Sequence, residues 1–196
     1  MKLPFIKGEI FLTQERLDFI KNTRGGSSGV FAGGFFWILA VIVSLVTSKE
    51  IASIYYIFGG IFIIPIVGSI ISKISGAKIE KSSYNFLVII TNMLFAFLYP
   101  LIVIIRSYNL DYIPSTIALI NAAHLLIFVW IHYELLHLIL ALLGFIISSI
   151  FIFIFPEVAY IGVGGVSALV NLIFGYLVYK STDEPLSDYN YKVIDK

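Results

Sequence analysis

The chain has 196 residues, of which 59% are hydrophobic and 13% charged, and its mean hydropathy is +0.98. Soluble domains carry about 25% charged residues, and a domain of this size must keep a polar surface in water, so the composition excludes a water-soluble protein. The net charge of +1 gives no general attraction to nucleic acid. The absence of cysteine excludes disulfides, thiolate nucleophiles and cysteine-ligated zinc.

Residues 1–29 carry charges of both signs, and the first apolar run begins only at Val30. A cleavable signal peptide has its apolar core nearer the N-terminus, so we expect these residues to form a cytoplasmic N-terminal segment. Within it, residues 8–23 have the pattern of a short amphipathic helix with Ile10, Leu17 and Ile20 on its apolar side. An ordinary polar lead-in is the alternative.

Six apolar runs in the sequence are about as long as a membrane-spanning helix, which needs about 20 residues. They cover residues 30–47, 51–71, 84–105, 114–131, 135–155 and 158–179. We therefore predict an all-α, polytopic membrane protein. Its six transmembrane helices form one bundle over residues 30–180, and residues 181–196 form a short cytoplasmic tail.

Prolines and one polar triplet set the boundaries between these runs. Pro65 and Pro100 lie inside helical patterns and predict kinks or early helix ends. Pro156 separates the last two runs. The stretch 114–155 is too long for one membrane span, and the triplet His132-Tyr133-Glu134 is its only polar break, so we predict a turn there.

Lysine and arginine are distributed unevenly between the two sides of the predicted bundle. The larger group lies on the side of the N-terminus and comprises Lys2, Lys7, Arg16, Lys21, Arg24, Lys73, Lys78, Lys81, Lys180, Lys192 and Lys196. Only Lys49 and Arg106 lie on the other side. Because cytoplasmic loops are enriched in basic residues, we predict that both termini and the turn at residues 132–134 are cytoplasmic.

Small residues recur on the predicted helices, among them Gly29, Gly33, Gly164 and Gly165. Glycine lets membrane helices approach closely, and the pair Gly29 and Gly33 has the spacing of a helix-packing motif. The pattern predicts close helix packing inside one bundle. The alternatives are a homo-oligomer joined through glycine-rich helix faces and a cavity lined by backbone.

Polar side chains occur near the middle of three predicted spans. They are Asn92, Asn121, His124, Ser167 and Asn171. Asn121 and His124 are three residues apart, and Ser167 and Asn171 are four apart, so each pair shares a helix face. Because an unpaired amide is costly in hydrocarbon, we expect these groups to turn inward. They then form either interhelical hydrogen bonds or a polar cavity, with Asn92, Asn121, His124 and Asn171 as ligand-binding candidates.

These polar residues give little support to two functions, a carboxylate-based ion carrier and an intramembrane serine hydrolase. No Asp or Glu lies near the middle of a span, which argues against a carboxylate-based proton or sodium carrier, although His124 alone can relay protons. Ser167 and His124 lie at similar predicted depth, which resembles the buried pair of rhomboid-type intramembrane proteases. The order of the two helices is reversed and the flanking signature is missing. This departure puts an intramembrane serine hydrolase in doubt, and we favour a protein that is not an enzyme.

His132, Glu134 and His137 form a metal-binding alternative, but their pattern also has an ordinary explanation. His132 ends one predicted helix and Glu134 begins the next, where the helix dipoles favour a cation and an anion, respectively. His137 lies one turn beyond Glu134 and can hydrogen-bond to it. The spacing is not that of the His-Glu-x-x-His zinc motif, and a di-iron site needs a second Glu-x-x-His and two further glutamates. We therefore expect no metal or other cofactor.

Three segments resemble landmarks of a bacterial family of small multi-pass membrane proteins of unknown function. The segments are GVFAGGFFWILA at 29–40, GGIFIIP at 59–65 and AHLLIFVW at 123–130. The resemblance spans most of the chain and implies a protein of the bacterial inner membrane with no assigned activity. It marks Trp37, Pro65, His124 and Trp130 as positions that match the pattern, and Trp37 thereby joins the ligand-binding candidates.

These patterns together predict a multi-pass protein of the bacterial cytoplasmic membrane that contacts the lipid bilayer and not nucleic acid. The polar residues at mid-depth predict that it binds or passes a small molecule or a lipid through a polar cavity in mid-membrane. A non-catalytic accessory or assembly subunit is the alternative function.

Overall fold

The structure is a computed structural model that describes residues 10–78, 82–182 and 191–194. Six helices in these residues are long and apolar enough to cross a membrane. They are α2 (Ser27–Val46), α3 (Lys49–Ile74), α4 (Ser83–Tyr108), α5 (Ile113–His132), α6 (Leu135–Phe153) and α7 (Ala159–Ser181). The predicted all-α, polytopic fold is therefore confirmed. Lys2, Lys7, Lys81, Lys196 and most of the predicted tail lie outside the described residues.

Each helix begins and ends within a few residues of its predicted limits. Of the kinks or early ends predicted at Pro65 and Pro100, the early ends do not occur. Pro65 and Pro100 lie inside the continuous helices α3 and α4. An internal proline removes one backbone hydrogen bond, but a membrane offers no alternative partner to the remaining backbone groups, so the helices continue.

The predicted turn at residues 132–134 separates α5 from α6. Tyr133 adopts a left-handed conformation with φ 51° and ends α5. The Glu134 carboxylate then caps α6 by accepting a hydrogen bond from the backbone N–H of Leu136 at 3.3 Å. Glu134 also accepts a hydrogen bond from Ser181 Oγ at 2.8 Å, which joins the turn to the end of α7.

The helices alternate in direction, so the bundle has two ends. We call the end that holds the α3–α4 and α5–α6 connections the basal end, and the opposite end the distal end. At the distal end, Tyr56 donates a hydrogen bond to the Tyr160 carbonyl at 2.5 Å, and Tyr160 donates one to the Leu110 carbonyl at 3.0 Å. These bonds, with Trp37 packed against Tyr56, hold α2, α3 and α7 together.

The most extensive helix contact is between α2 and α7, and glycine makes it possible. A Cβ atom on Gly34 would lie 2.8 Å from Leu172 Cδ2, and one on Gly175 would lie 2.9 Å from the Phe31 ring. A Cβ on Gly29 would meet no atom within 4 Å. Close glycine packing therefore occurs inside the bundle, but Gly29 does not take part in it.

Helix α4 lies at the edge of the bundle. Of its described side chains, only Thr91 and Ile102 are buried. Its side-chain contacts with α3 lie towards the distal end, where Arg106 Nε donates to Ser53 Oγ at 2.8 Å. Most of the α4 surface would therefore face lipid.

A short helix and a two-stranded sheet cover the basal end. Helix α1 (Gln14–Asn22) confirms the predicted amphipathic helix in shorter form. Its Leu17 and Ile20 side chains are buried. Ile10 was predicted to belong to this helix, but it begins strand β1 (Ile10–Thr13). Strand β1 pairs in parallel with β2 (Tyr191–Ile194), so a non-local partner overrides the local helical pattern.

Candidate functional site

A small polar cavity lies between α2, α5, α6 and α7. Its polar lining consists of Trp37, Asn121, Ser167 and Asn171, and the other lining side chains are apolar or small. The space open to the centre of a water molecule is about 10 Å³, which is close to the minimum that one water requires. The cavity thus accommodates about one water molecule.

The polar lining residues sit near the middle of their helices. Trp37 is close to the centre of α2, Asn121 to that of α5, and Ser167 and Asn171 to that of α7. Because these helices are of membrane-spanning length, the cavity lies at the depth of the hydrocarbon core, where polar groups find no lipid partner.

The hydrogen bonding of these residues is incomplete. Asn171 Nδ2 donates to the Ser167 carbonyl at 2.8 Å, a bond within α7 and not between helices. Within the described residues, no hydrogen bond is made by the Trp37 indole, the Asn121 carboxamide or the Ser167 hydroxyl. These groups offer both donors and acceptors to whatever occupies the cavity.

Small residues in the walls let the helices that carry these polar groups approach one another closely. A Cβ atom on Gly33 would lie 3.1 Å from Asn171 Oδ1, so glycine on α2 lets the Asn171 amide approach that helix. A Cβ on Gly144 would lie 3.0 Å from that of Ala122, so α5 and α6 pack closely at the same depth. The walls are therefore formed by close backbone approach, and side-chain atoms leave only a small gap.

His124 does not line this cavity. Its ring packs against Phe128, with ring centroids 5.0 Å apart, and a hydrogen bond links it to the backbone of Thr91 in α4. Ser167 makes no hydrogen bond with His124. The structure therefore does not bring together the serine and histidine that an intramembrane hydrolase requires.

Asn92 also lies away from the cavity. It is exposed on α4, at the edge of the bundle. Of the five ligand-binding candidates from the sequence, the structure gathers Trp37, Asn121 and Asn171 and separates Asn92 and His124 from them. The rotation of each helix about its axis decides this outcome.

The three residues of the metal-binding alternative point to different partners. His132 and His137 are buried with their rings 5.5 Å apart, and His137 Nε2 lies 2.9 Å from the carbonyl of Gly25. Glu134 instead caps α6 and bonds to Ser181. No group of three or more potential metal-binding side chains comes together in residues 10–78, 82–182 and 191–194.

The basal end contains a buried cation that the sequence reasoning missed. Arg16 on α1 is buried, and its guanidinium carbon lies 4.1 Å from the Tyr133 ring centroid and 4.4 Å from that of Trp130. It donates to the last carbonyls of α5, from Nη2 to Trp130 and from Nε to Ile131 at 3.3 Å. Burial lowers the pKa of Arg16 from its ordinary value, but an arginine stays charged in proteins. The only sequence signal was a cation within the amphipathic helix.

One family model matches the chain over residues 12–181, and its description is a family of unknown function. No curated protein and no solved structure matches the chain. The matched residues run from β1 to the end of α7 and so include all six long helices and the cavity. The chain therefore belongs to the DUF7010 family, which confirms the expected membership of a family of unknown function.

Proposed function

We propose that this protein is a membrane protein that binds a small polar molecule, or the polar part of a lipid, in the cavity between α2, α5, α6 and α7. The observation that carries the proposal is the set of unsatisfied polar groups of Trp37, Asn121 and Ser167 around that cavity. An unpaired polar group costs several kcal/mol in hydrocarbon, so an occupant that pairs with these groups stabilises the bundle.

The lining of the cavity favours an uncharged occupant. No described charged side chain lines it, and a charge at this depth is costly without a partner. Hydroxyl, amide and ester groups match the donors and acceptors that Trp37, Asn121 and Ser167 provide. The ligand therefore presents one of these groups to the cavity, and its apolar part lies among the helices.

The size of the cavity makes helix movement part of the proposal. The present volume holds about one water molecule. A larger ligand requires a wall to open, and we propose that it enters where α5 and α6 meet at Gly144 and Ala122. Passage across the membrane requires the same opening towards both ends of the bundle.

Substitution of Asn121 by leucine tests the proposed site. We expect native mass spectrometry of the wild-type protein, purified in lipid nanodiscs, to show a bound species that Asn121→Leu binds about tenfold or more weakly, because a hydrogen-bond partner in the cavity is lost. The mass of the species distinguishes a small molecule from a lipid. Ser149→Ala is the matched control, since Ser149 bonds to its own helix at 2.9 Å and lies outside the cavity.

Two results would contradict the proposed site. One is a bound species that Asn121→Leu retains with wild-type affinity. The other is a wild-type protein that carries only the exchangeable lipids around the bundle, which would mean that the cavity holds water alone. Thermal unfolding of both variants without ligand shows whether a lost species reflects a lost fold.

We also propose that the protein resides in the cell membrane with both termini in the cytoplasm. The support is the distribution of basic residues, because Lys49 and Arg106 are the only lysine or arginine residues among the described residues of the distal end. The chain has no native cysteine, so single cysteines report its orientation. We expect an impermeant maleimide to label Tyr108→Cys in intact cells and Ala77→Cys only after permeabilisation. The reverse pattern would rule out this orientation.

A further inference from the structure

Near the middle of α4, Asn92 is an exposed polar side chain that its own helix does not satisfy. Thr91 Oγ1 bonds to the Leu87 carbonyl at 2.7 Å, and Ser107 Oγ bonds to the Ile104 carbonyl at 2.7 Å. Asn92 is exposed, and its carboxamide makes no hydrogen bond with any described residue. Unlike the hydroxyls of Thr91 and Ser107, the Asn92 carboxamide is therefore not satisfied by its own helix.

The depth of Asn92 in the membrane makes this unsatisfied carboxamide costly. Helix α4 runs from Ser83 to Tyr108, so at 1.5 Å per residue Asn92 lies about 5 Å along the axis from the helix midpoint. The hydrocarbon core is about 30 Å thick, which places the carboxamide well inside it. Lipid tails offer no donor or acceptor at this depth, so Asn92 needs a protein partner outside its own chain.

A second copy of the same chain supplies the matching group. All copies insert with the same topology, so a two-fold axis along the membrane normal places Asn92 of one copy at the depth of Asn92 of the other. A carboxamide contains both a donor and an acceptor, so two of them pair with each other. No other partner is guaranteed to carry a complementary group at this depth.

The neighbours of Asn92 on α4 also suit such a contact. Ile89 and Val103 are three residues before and eleven residues after Asn92, so they lie on the same helix face. Their side chains are 56% and 51% exposed, respectively. They provide the apolar contact that surrounds a hydrogen bond between membrane helices.

We propose that two copies of this chain associate through α4, with the Asn92 carboxamides hydrogen-bonded to each other across a two-fold axis along the membrane normal. The contact uses a different surface from the glycines, because Gly34 and Gly175 pack within one chain. It is also independent of ligand binding, since Asn92 does not line the cavity.

Cysteine cross-linking tests the proposed face directly, because the chain has no native cysteine. We expect oxidation in native membranes to convert Asn92→Cys into a product of twice the chain mass. Ile90→Cys is the control at nearly the same depth, since Ile90 is 42% exposed and lies about 160° around the helix from Asn92. Cross-linking of Ile90→Cys alone, of neither variant, or to a protein of another mass would overturn the proposal.

The role of the carboxamide itself needs a second measurement. Single-molecule photobleaching in lipid bilayers gives the dimer fraction as a function of protein density. We expect Asn92→Leu to lower the association constant by about threefold or more, the effect of losing an average membrane hydrogen bond, and Asn92→Gln to restore part of it. Equal association of wild type and Asn92→Leu would overturn the hydrogen-bonded contact. Size-exclusion elution of each variant shows that it is folded.

Discussion

Replacing Arg16 with alanine will lower the free energy of unfolding by about 3 kcal/mol or more and will detach α1 from the basal end. The substitution removes hydrogen bonds from a charged group to the Trp130 and Ile131 carbonyls, which contribute about 1.5–3 kcal/mol each. It also removes the stacking on Trp130 and Tyr133, which contributes about 0.5–2 kcal/mol per ring. Arg16 is only 6% exposed, so solvent does not replace these contacts.

The comparison of Arg16 with Lys21 separates this contact from a general effect of charge. Both lie on α1, but Lys21 is exposed, so Lys21→Ala should change stability by less than about 0.5 kcal/mol. Arg16→Lys should recover only part of the loss, because an ammonium cannot span two carbonyls and stack on two rings as a guanidinium does. Denaturation by SDS from mild detergent gives the free energies. An Arg16→Ala protein as stable as the Lys21→Ala protein would refute the prediction.

Replacing Gly164 with leucine will destabilise the contact of α7 with α2 and α3 by about 3 kcal/mol, at the upper end of the usual cost of overpacking. A Cβ atom at this position would lie 2.7 Å from Val41 Cγ2 and 2.8 Å from the Tyr56 hydroxyl. That hydroxyl donates to the Tyr160 carbonyl at 2.5 Å. A side chain at Gly164 therefore displaces a packed helix and breaks a hydrogen bond that joins two helices.

The adjacent glycine provides a matched control for Gly164. A Cβ atom on Gly165 would meet no atom within 4 Å, and this residue is exposed. Gly165→Leu should therefore keep the wild-type stability within about 0.5 kcal/mol. Thermal unfolding in the same detergent compares the two variants. Equal stability of Gly164→Leu and Gly165→Leu would show that the close approach of α7 to α2 is wrong.

The architecture was predictable because its signals are local and the membrane restricts the alternatives. A run of about 20 apolar residues has one stable form in hydrocarbon, the helix, since it satisfies its backbone internally. The turn at residues 132–134 followed from length and from the polar triplet there, because one helix from 114 to 155 would overshoot the bilayer. The depth of Asn121 and Asn171 followed in the same way, by counting residues from the helix ends.

The partners of each polar group were not predictable, because they depend on how each helix is rotated and which helix lies beside it. Asn121 and His124 share one face by spacing, yet Asn121 lines the cavity and His124 contacts α4. Asn92 was expected to turn inward, but α4 lies at the edge of the bundle and leaves it exposed. Apolar periodicity is weak evidence for rotation when lipid and core are equally apolar.

The basal end shows the same division between local and tertiary information. The amphipathic pattern of α1 was predictable from the sequence. The contact of Arg16 with α5 was not, because it joins residues 115 positions apart in the chain. Ile10 was predicted to be helical, but it pairs with β2 and forms a strand. The sequence by itself determined which segments are helical and how deep each residue lies, since hydrophobicity and length decide both. Only the tertiary structure decided which polar groups meet, because side-chain partners depend on the packing of segments distant in sequence.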